Sequence, residues 1–460
     1  MFSARIQTTA DRLSAYVARS PRTSAVVALC AVIAAAAFIH LVLALFHQQS
    51  GAWILRDLFK GLLPVGVDSW NVMMAALDWV DTHPNADGSL YTHLFFNEQQ
   101  KFQYAPTSLL PLDALRRMGL DLSPHLFNSL NRLVLIASSL GLGLLCWVLP
   151  GRLAAGPLDA DARRARLLMT AAAPVAALLF FPLIYGYHIG QLQVVINALF
   201  IMACIAWVCE RRAAAGVLIG LVCILKPQFG LFLIWGLLRK EWRFTVALLA
   251  TGTTCLLLSV ILYGFGNHLG YLEVLSFLSR HGEAFWANQS VNGLLHRIFD
   301  NGQVEQFENN TFPPFHPAVY AGSMLATIAC LALVFLIRPG QSRTSVLLDF
   351  LLAALAFTVA SPIAWEHHYG ILMPIFAVLA FVLTASRPGT FPVWLAVGLG
   401  IAFLGAAVPL EIFRQAPGIL NLLTFHLFFS ALFVLFALWR MGGGSFAGSS
   451  ALPPPVSEPG

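Results

Sequence analysis

Four side chains in this sequence could perform chemistry together: one carboxylate, one lysine and two adjacent imidazoles. Asp68 stands in Gly66-Val-Asp-Ser-Trp-Asn71, ahead of the helix-like run 72–80. A carboxylate there can take a proton from a hydroxyl within hydrogen-bond reach. The same placement also suits a helix N-cap, since Asp before an apolar-periodic run is a start signal. Lys226 is a cation within the apolar stretch 213–238. It either snorkels to the membrane interface or holds an anionic group such as a lipid phosphate. His367 and His368 follow Trp365-Glu366 at the start of another apolar run, where backbone N–H groups and a positive helix end attract anions.

Further polar residues accompany these four. His188, Gln191, Asn288, Gln289, Asn292 and Glu366 fall with them at or near one membrane face, and polar groups beside hydrocarbon are functional candidates by default. Each taken singly also reads as an ordinary loop or interface residue. Tyr104 lies in Phe102-Gln-Tyr-Ala-Pro-Thr-Ser108, a segment suited to the interface as an aromatic belt or as a ligand contact. Adjacent histidines rarely share one ion and no HExxH-type spacing occurs, so no metal ligands are assigned. No cofactor is predicted, and a divalent cation stays open.

The elements that must position these groups are membrane spans. Of 460 residues, 58% are hydrophobic and 11% charged, against roughly 25% charged in a soluble domain. Apolar stretches of about 20 residues, enough to cross about 30 Å of hydrocarbon, recur from 24–46 to 419–439. An all-α polytopic membrane protein of about twelve transmembrane helices follows. The net charge of +5 comes from short basic clusters between apolar runs, which topology explains better than a nucleic acid does. The seven cysteines form no CxxC pair, so neither disulfides nor thiolate metal sites are expected.

The basic clusters also orient the chain. With a cytoplasmic segment 1–23, span 24–46 exits, a long outer segment reaches residue 126, and span 127–149 returns. Spans 167–184 and 191–209 make a hairpin around the outer turn 185–191. The break at Lys226-Pro-Gln228 divides 213–238 into two short helices, 213–225 and 229–238, because Pro interrupts a helix. Their tip points outward with Lys226. Span 244–264 leads to a second outer loop, 265–317, and spans 318–337, 345–360, 369–385, 391–410 and 419–439 follow. Arg414, in the last outer turn, dissents. Residues 24–440 thus form one transmembrane domain, and the Gly/Ser/Pro-rich tail 441–460 reads as a disordered cytoplasmic segment.

Several segments resemble the polyprenol-phosphate-sugar-dependent glycosyltransferases of family 87, in the GT-C superfamily. These are Val67-Asp-Ser-Trp-Asn-Val-Met-Met-Ala-Ala76, Tyr104-Ala-Pro-Thr-Ser-Leu-Leu110, Gly190-Gln191 with Gly220-Leu-Val-Cys-Ile-Leu-Lys-Pro227, Asn288-Gln-Ser-Val-Asn-Gly-Leu-Leu295, and Ser361-Pro-Ile-Ala-Trp-Glu-His-His368. Ala105 departs from the pattern where a second Pro is common, and Pro227-Gln228 departs where an aromatic often follows the Lys.

The resemblance implies a GT-C-like bundle with long outer loops in the inner (cytoplasmic) membrane, and the basic clusters put both termini on the cytoplasmic side. It implies inverting transfer of a hexose such as mannose from a polyprenyl-phosphate donor to a lipid or glycan acceptor. Asp68 would be the base, while Lys226 with His367 or His368 would hold the donor phosphate. Tyr104, His188, Gln191, Asn288, Gln289, Asn292 and Glu366 would contact sugar or acceptor. The rival is a transporter or lipid-linked-sugar flippase, which usually places its charges near the midplane of repeated halves. No repeat occurs here, and two long outer segments lie on one side.

Overall fold

A computed structural model describes residues 20–46, 51–60, 66–83, 87–154, 156–308, 311–387, 389–410, 413–414 and 418–443. The expected cytoplasmic segment 1–23 and tail 441–460 fall, but for 20–23 and 441–443, outside the described residues. The helices run α1 Pro21–Phe46, α2 Gly51–Lys60, α3 Asp68–Thr82, α4 Leu110–Arg117, α5 Pro124–Leu153, α6 Ala160–Leu178, α7 Phe181–His188, α8 Gln193–Val208 and α9 Arg212–Leu225. They continue as α10 Phe232–Arg239, α11 Trp242–Tyr263, α12 Phe265–His281, α13 Val291–Ile298, α14 Pro317–Leu336, α15 Arg343–Val359, α16 Leu372–Ala385, α17 Val393–Ala407 and α18 His426–Gly442. Among the described residues the only β pairing is an isolated antiparallel bridge between Asn288 and Trp365.

The protein is all-α and polytopic. Six helical segments are long and apolar enough to cross a membrane, and α6 with α7 makes a seventh if that bent pair is one span. The shorter apolar helices α8, α9 and α17 pack among them. The two long segments expected on the outer side are themselves partly helical: α2 to α4 occupy the first, α12 and α13 the second.

Local chemistry explains where helices break. The expected turn 185–191 is tighter than the sequence suggests, because the chain bends by 44° between α6 and α7 and stays helical to His188. Pro182 lacks the N–H that would continue the ladder. The Leu179 carbonyl freed there accepts a hydrogen bond from His40 Nε2 on α1 (2.9 Å), which also reaches Ala407 O on α17 (3.0 Å). Lys226 ends α9 outside the helical region (φ −142°, ψ 85°), in line with the bias against helical backbone before Pro. The Ile224 carbonyl left open at that break accepts from Thr107 Oγ1 at 2.7 Å.

The interior is close-packed where helices cross. On α9, a Cβ added to Gly216 would lie 2.2 Å from Phe244 O, and one on Gly220 would lie 2.7 Å from Thr251 Cβ, so these two glycines let α9 touch α11. Every residue of α15 from Leu347 to Val359 is buried, and the one charge in that stretch, Asp349, is held by Trp235 Nε1 and Arg239 Nε, each at 2.8 Å. A buried carboxylate needs such partners. That pair anchors the short α10 against α15, and so fixes the tip that carries Lys226.

Candidate active site

The carboxylate site begins where two chain segments cross backbone to backbone. Gly66 N donates to His188 O (2.8 Å), Asp68 N to Ile189 O (3.0 Å) and Ser69 N to Gly190 O (3.3 Å). Only glycines permit this approach. A Cβ on Gly190, whose φ is +72°, would sit 1.9 Å from Gly66 O, and one on Gly66 would sit 2.6 Å from Ile189 O. Gly190→Ala is therefore expected to unseat Asp68 and to lower stability by about 1–3 kcal/mol. Thermal unfolding checks this, and a melting temperature matching wild type would contradict it.

The crossing delivers Gln191 to Asp68 with a fixed polarity. Ser69 Oγ donates to Gln191 Oε1 at 2.7 Å, and Tyr104 OH donates to the same oxygen at 3.2 Å. With Oε1 committed, the amide nitrogen must face the other way, and it donates to Asp68 Oδ2. Ser69 Oγ also accepts from Leu192 N at 3.0 Å, which closes the knot.

Asp68 is the first residue of α3 rather than its cap. The cap is Val67, which offers no side-chain bond. The carboxylate is open to a cavity yet surrounded by protein. That burial pushes its pKa above the ordinary carboxylate value, against the opposing influence of the Gln191 hydrogen bond and the Lys101 charge. A base raised toward neutrality is a better proton acceptor than an ordinary exposed Asp.

The cavity measures about 1690 Å³. It gathers Asp68, Tyr104, His188, Gln191, Lys226, Glu366, His367 and His368. Lys226 Nζ donates to Gln193 Oε1 at 3.3 Å and lies within electrostatic range of both imidazoles. His368 Nδ1 accepts from Trp365 N at 3.2 Å, so the proton of the neutral ring is on Nε2. His367 is 4% exposed, and neither ring nitrogen has a hydrogen-bond partner among the described residues. A buried imidazole in that state calls for a ligand group.

Asn288, Gln289 and Asn292 do not reach the cavity, because their amides are consumed in holding its walls. Asn288 Nδ2 donates to Glu283 O (2.8 Å) and Pro362 O (3.1 Å), and its Oδ1 accepts from Ala364 N (2.9 Å). Gln289 bonds Thr424 O (2.9 Å) and Phe428 N (3.3 Å), while Tyr369 OH donates to Gln289 O. Asn292 Oδ1 accepts from Glu283 N at 3.1 Å. Asn288 thus ties the turn before α13 to the segment that leads into His367 and His368, Gln289 ties it to residues 424–428, and Asn292 ties α13 back to Glu283 and to Ser323 on α14.

Lys101 and Gln193, both on the cavity wall, went unread in the sequence. Lys101 Nζ meets Glu283 Oε2 at 2.7 Å, and the pair is 10% and 6% exposed. It lies 4.5 Å from the ring centres of Phe307 and of Phe312. Nothing in the polar stretch 97–103 marks this lysine; its partner is 182 residues away. Gln193 carried a weak signal, two residues beyond Gln191. Among the described residues no group of three or more His, Cys, Asp or Glu could hold a metal ion.

A sequence model described as glycosyltransferase family 87 matches residues 102–362. The chain is 27% identical over 329 residues to a polyprenol-phosphate-mannose-dependent alpha-(1-2)-phosphatidylinositol mannoside mannosyltransferase of Mycobacterium tuberculosis, covering 70% of this chain and 72% of that protein. A protein of the same description from Mycolicibacterium smegmatis is 24% identical over 356 residues, 74% of this chain and 76% of its own. No solved structure matches.

Proposed function

This chain belongs to glycosyltransferase family 87, and from that premise we propose that it moves a hexose, by default mannose, from a polyprenyl-phosphate donor to a lipid or glycan acceptor with inversion. The observation that carries the proposal is one cavity lined by Asp68 and by Lys226, His367 and His368 together. Its flank of Leu231, Leu275, Leu278, Met324, Leu331 and Phe357 suits a prenyl chain.

In the proposed step the acceptor hydroxyl oxygen attacks the anomeric carbon as Asp68 takes its proton. The bond from that carbon to the phosphate oxygen breaks on the opposite face, and the polyprenyl phosphate leaves carrying the electron pair. Its phosphodiester charge of one becomes two, so Lys226 and the imidazole N–H groups stabilise the transition state more than the ground state. Gln191 keeps the carboxylate oriented, and Tyr104 and Ser69 keep Gln191 oriented. His188 and Glu366 complete the polar lining beside the sugar.

The descriptions of the two mycobacterial relatives support this donor, and lipid acceptors of their kind. The experiment is transfer by the purified chain in lipid nanodiscs, from labelled polyprenyl-phosphate mannose to mannosylated lipid acceptors. The expected result is labelled acceptor with release of polyprenyl phosphate. Donor moved across a liposome bilayer but chemically unchanged would favour a flippase instead.

Lys101 supplies a second expectation. Because its charge holds down a pKa that burial has raised, Lys101→Met removes the opposing influence and lets the Asp68 value climb further. The acid limb of the kcat/KM profile is then expected at higher pH than in wild type, with the loss confined to the acid side. An unmoved limb separates Asp68 from the titration.

The proposed setting is the cytoplasmic membrane, with both termini inside and the cavity opening outward, as the Arg and Lys clusters predict. A cysteine placed at Gln303 should react with an impermeant thiol reagent added to intact cells. Reaction only after lysis would reverse the orientation.

A further inference from the structure

We propose that the Asp68 end of the cavity is an acceptor subsite for a neutral polyhydroxylated ring, gripped by the amides of Asn71 and Gln103 with Gln99 beside them. The inference deepens the transferase reading and rests on it, since a base must stand against the hydroxyl that attacks.

Placement comes first. Asn71 lies three residues after Asp68 on α3, hence on the same helix face, and it lines the cavity. Gln103 precedes Tyr104, whose hydroxyl enters the Ser69–Gln191 knot beside Asp68. Gln99, Gln103 and Lys101 line the cavity as well. Gln100 lines the cavity too, but its amide nitrogen is already committed to Glu98 Oε2 at 2.9 Å.

Charge then selects the ligand. The one cation at this end, Lys101, is matched by Glu283 at 2.7 Å, so no unbalanced positive charge is left to retain a phosphate, and Asp68 repels one. Lys226 and His367 line the cavity from other elements, the break after α9 and the 3-10 turn Glu366–Ile371, and neither ring nitrogen of His367 has a hydrogen-bond partner among the described residues. Side-chain amides present a donor pair beside an acceptor oxygen, the complement of vicinal hydroxyls. The loop that carries them is held in shape beforehand. Gln99 occupies left-handed backbone at φ +57°, Phe102 is fully buried against Tyr91, and Tyr91 OH donates to Tyr104 O at 2.6 Å. A preformed loop loses little freedom on binding. An acceptor with a single hydroxyl would leave these amides unpaired, which opposes its binding.

Saturation-transfer NMR on the full chain, in phospholipid nanodiscs free of sugar detergents, tests the subsite with three probes: octyl α-D-mannopyranoside, octanol and farnesyl phosphate. The mannoside should bind saturably and at least ten-fold more tightly than octanol. Asn71→Leu with Gln103→Leu should weaken the mannoside at least ten-fold and leave farnesyl phosphate within two-fold. If that double variant loses both probes, the single Gln103→Met, of nearly equal volume, must show the same split. Equal binding of octanol, or an unchanged mannoside Kd in the variant, overturns the proposal. Failure of farnesyl phosphate to bind wild type would strike the donor-phosphate reading instead, with the mannoside arm still deciding this one.

Discussion

Asp68→Asn is expected to lower kcat by about 10²–10⁴-fold, the contribution of a positioned general base. At 1.36 kcal/mol per decade this corresponds to roughly 3–5 kcal/mol of barrier. The substitution isolates proton transfer from architecture. Asn Oδ1 still accepts the Gln191 hydrogen bond, and the backbone bonds from residues 66, 68 and 69 to residues 188, 189 and 190 are untouched. An amide does not take a proton at neutral pH, so the acceptor hydroxyl stays a poor nucleophile. Binding of donor lipid, proposed to rest on Lys226, His367 and His368, should change less than two-fold. Transfer at near-wild-type rate would remove Asp68 from the chemistry and leave it an orienting residue at the start of α3.

The second large effect belongs to Lys226. Lys226→Met keeps most of the stem that fills the break between α9 and the following 3-10 turn, Pro227–Leu231, but removes the charge. Loss of one preorganised donor from a developing anion lowers the rate by about 10²–10³-fold. Because charge on the phosphate grows as the sugar departs, kcat and kcat/KM should fall together. Lys226→Arg should recover part of the loss, since a guanidinium also pairs with phosphate although in a different geometry. A variant that folds and turns over normally would make Lys226 a cation kept only by its bond to Gln193. A variant changed in yield alone would give it a structural role.

How much of this was legible beforehand differs between elements. Composition and the recurrence of apolar runs settle an all-helical membrane chain, and the break at Lys226-Pro227 could be read because proline's missing donor is a local rule. The convergence of Asp68, Gln191, Lys226, His367 and His368 followed from assigning each to one membrane face, which the charge clusters allow. Asn288, Gln289 and Asn292 misled because an amide near hydrocarbon demands a partner without saying which kind. Here the partners are the backbone of Pro362 and Ala364 for Asn288, of Thr424 and Phe428 for Gln289, and Glu283 N with Ser323 for Asn292, and the side chains act as clamps. Lys101 stayed invisible for the converse reason. It sits in an ordinary polar stretch, and only folding brings Glu283, Phe307 and Phe312 around it. The bend between α6 and α7 likewise depends on His40, distant in sequence, accepting the role of donor to a freed carbonyl.

The central claim is a single direct displacement, with the acceptor oxygen deprotonated at Asp68 while the phosphate departs toward Lys226. NMR of the product's anomeric carbon, beside that of the donor, measures it most directly. The account predicts opposite configuration at that carbon in every product molecule. Retention would require a second nucleophile and a glycosyl-enzyme intermediate, and would contradict it.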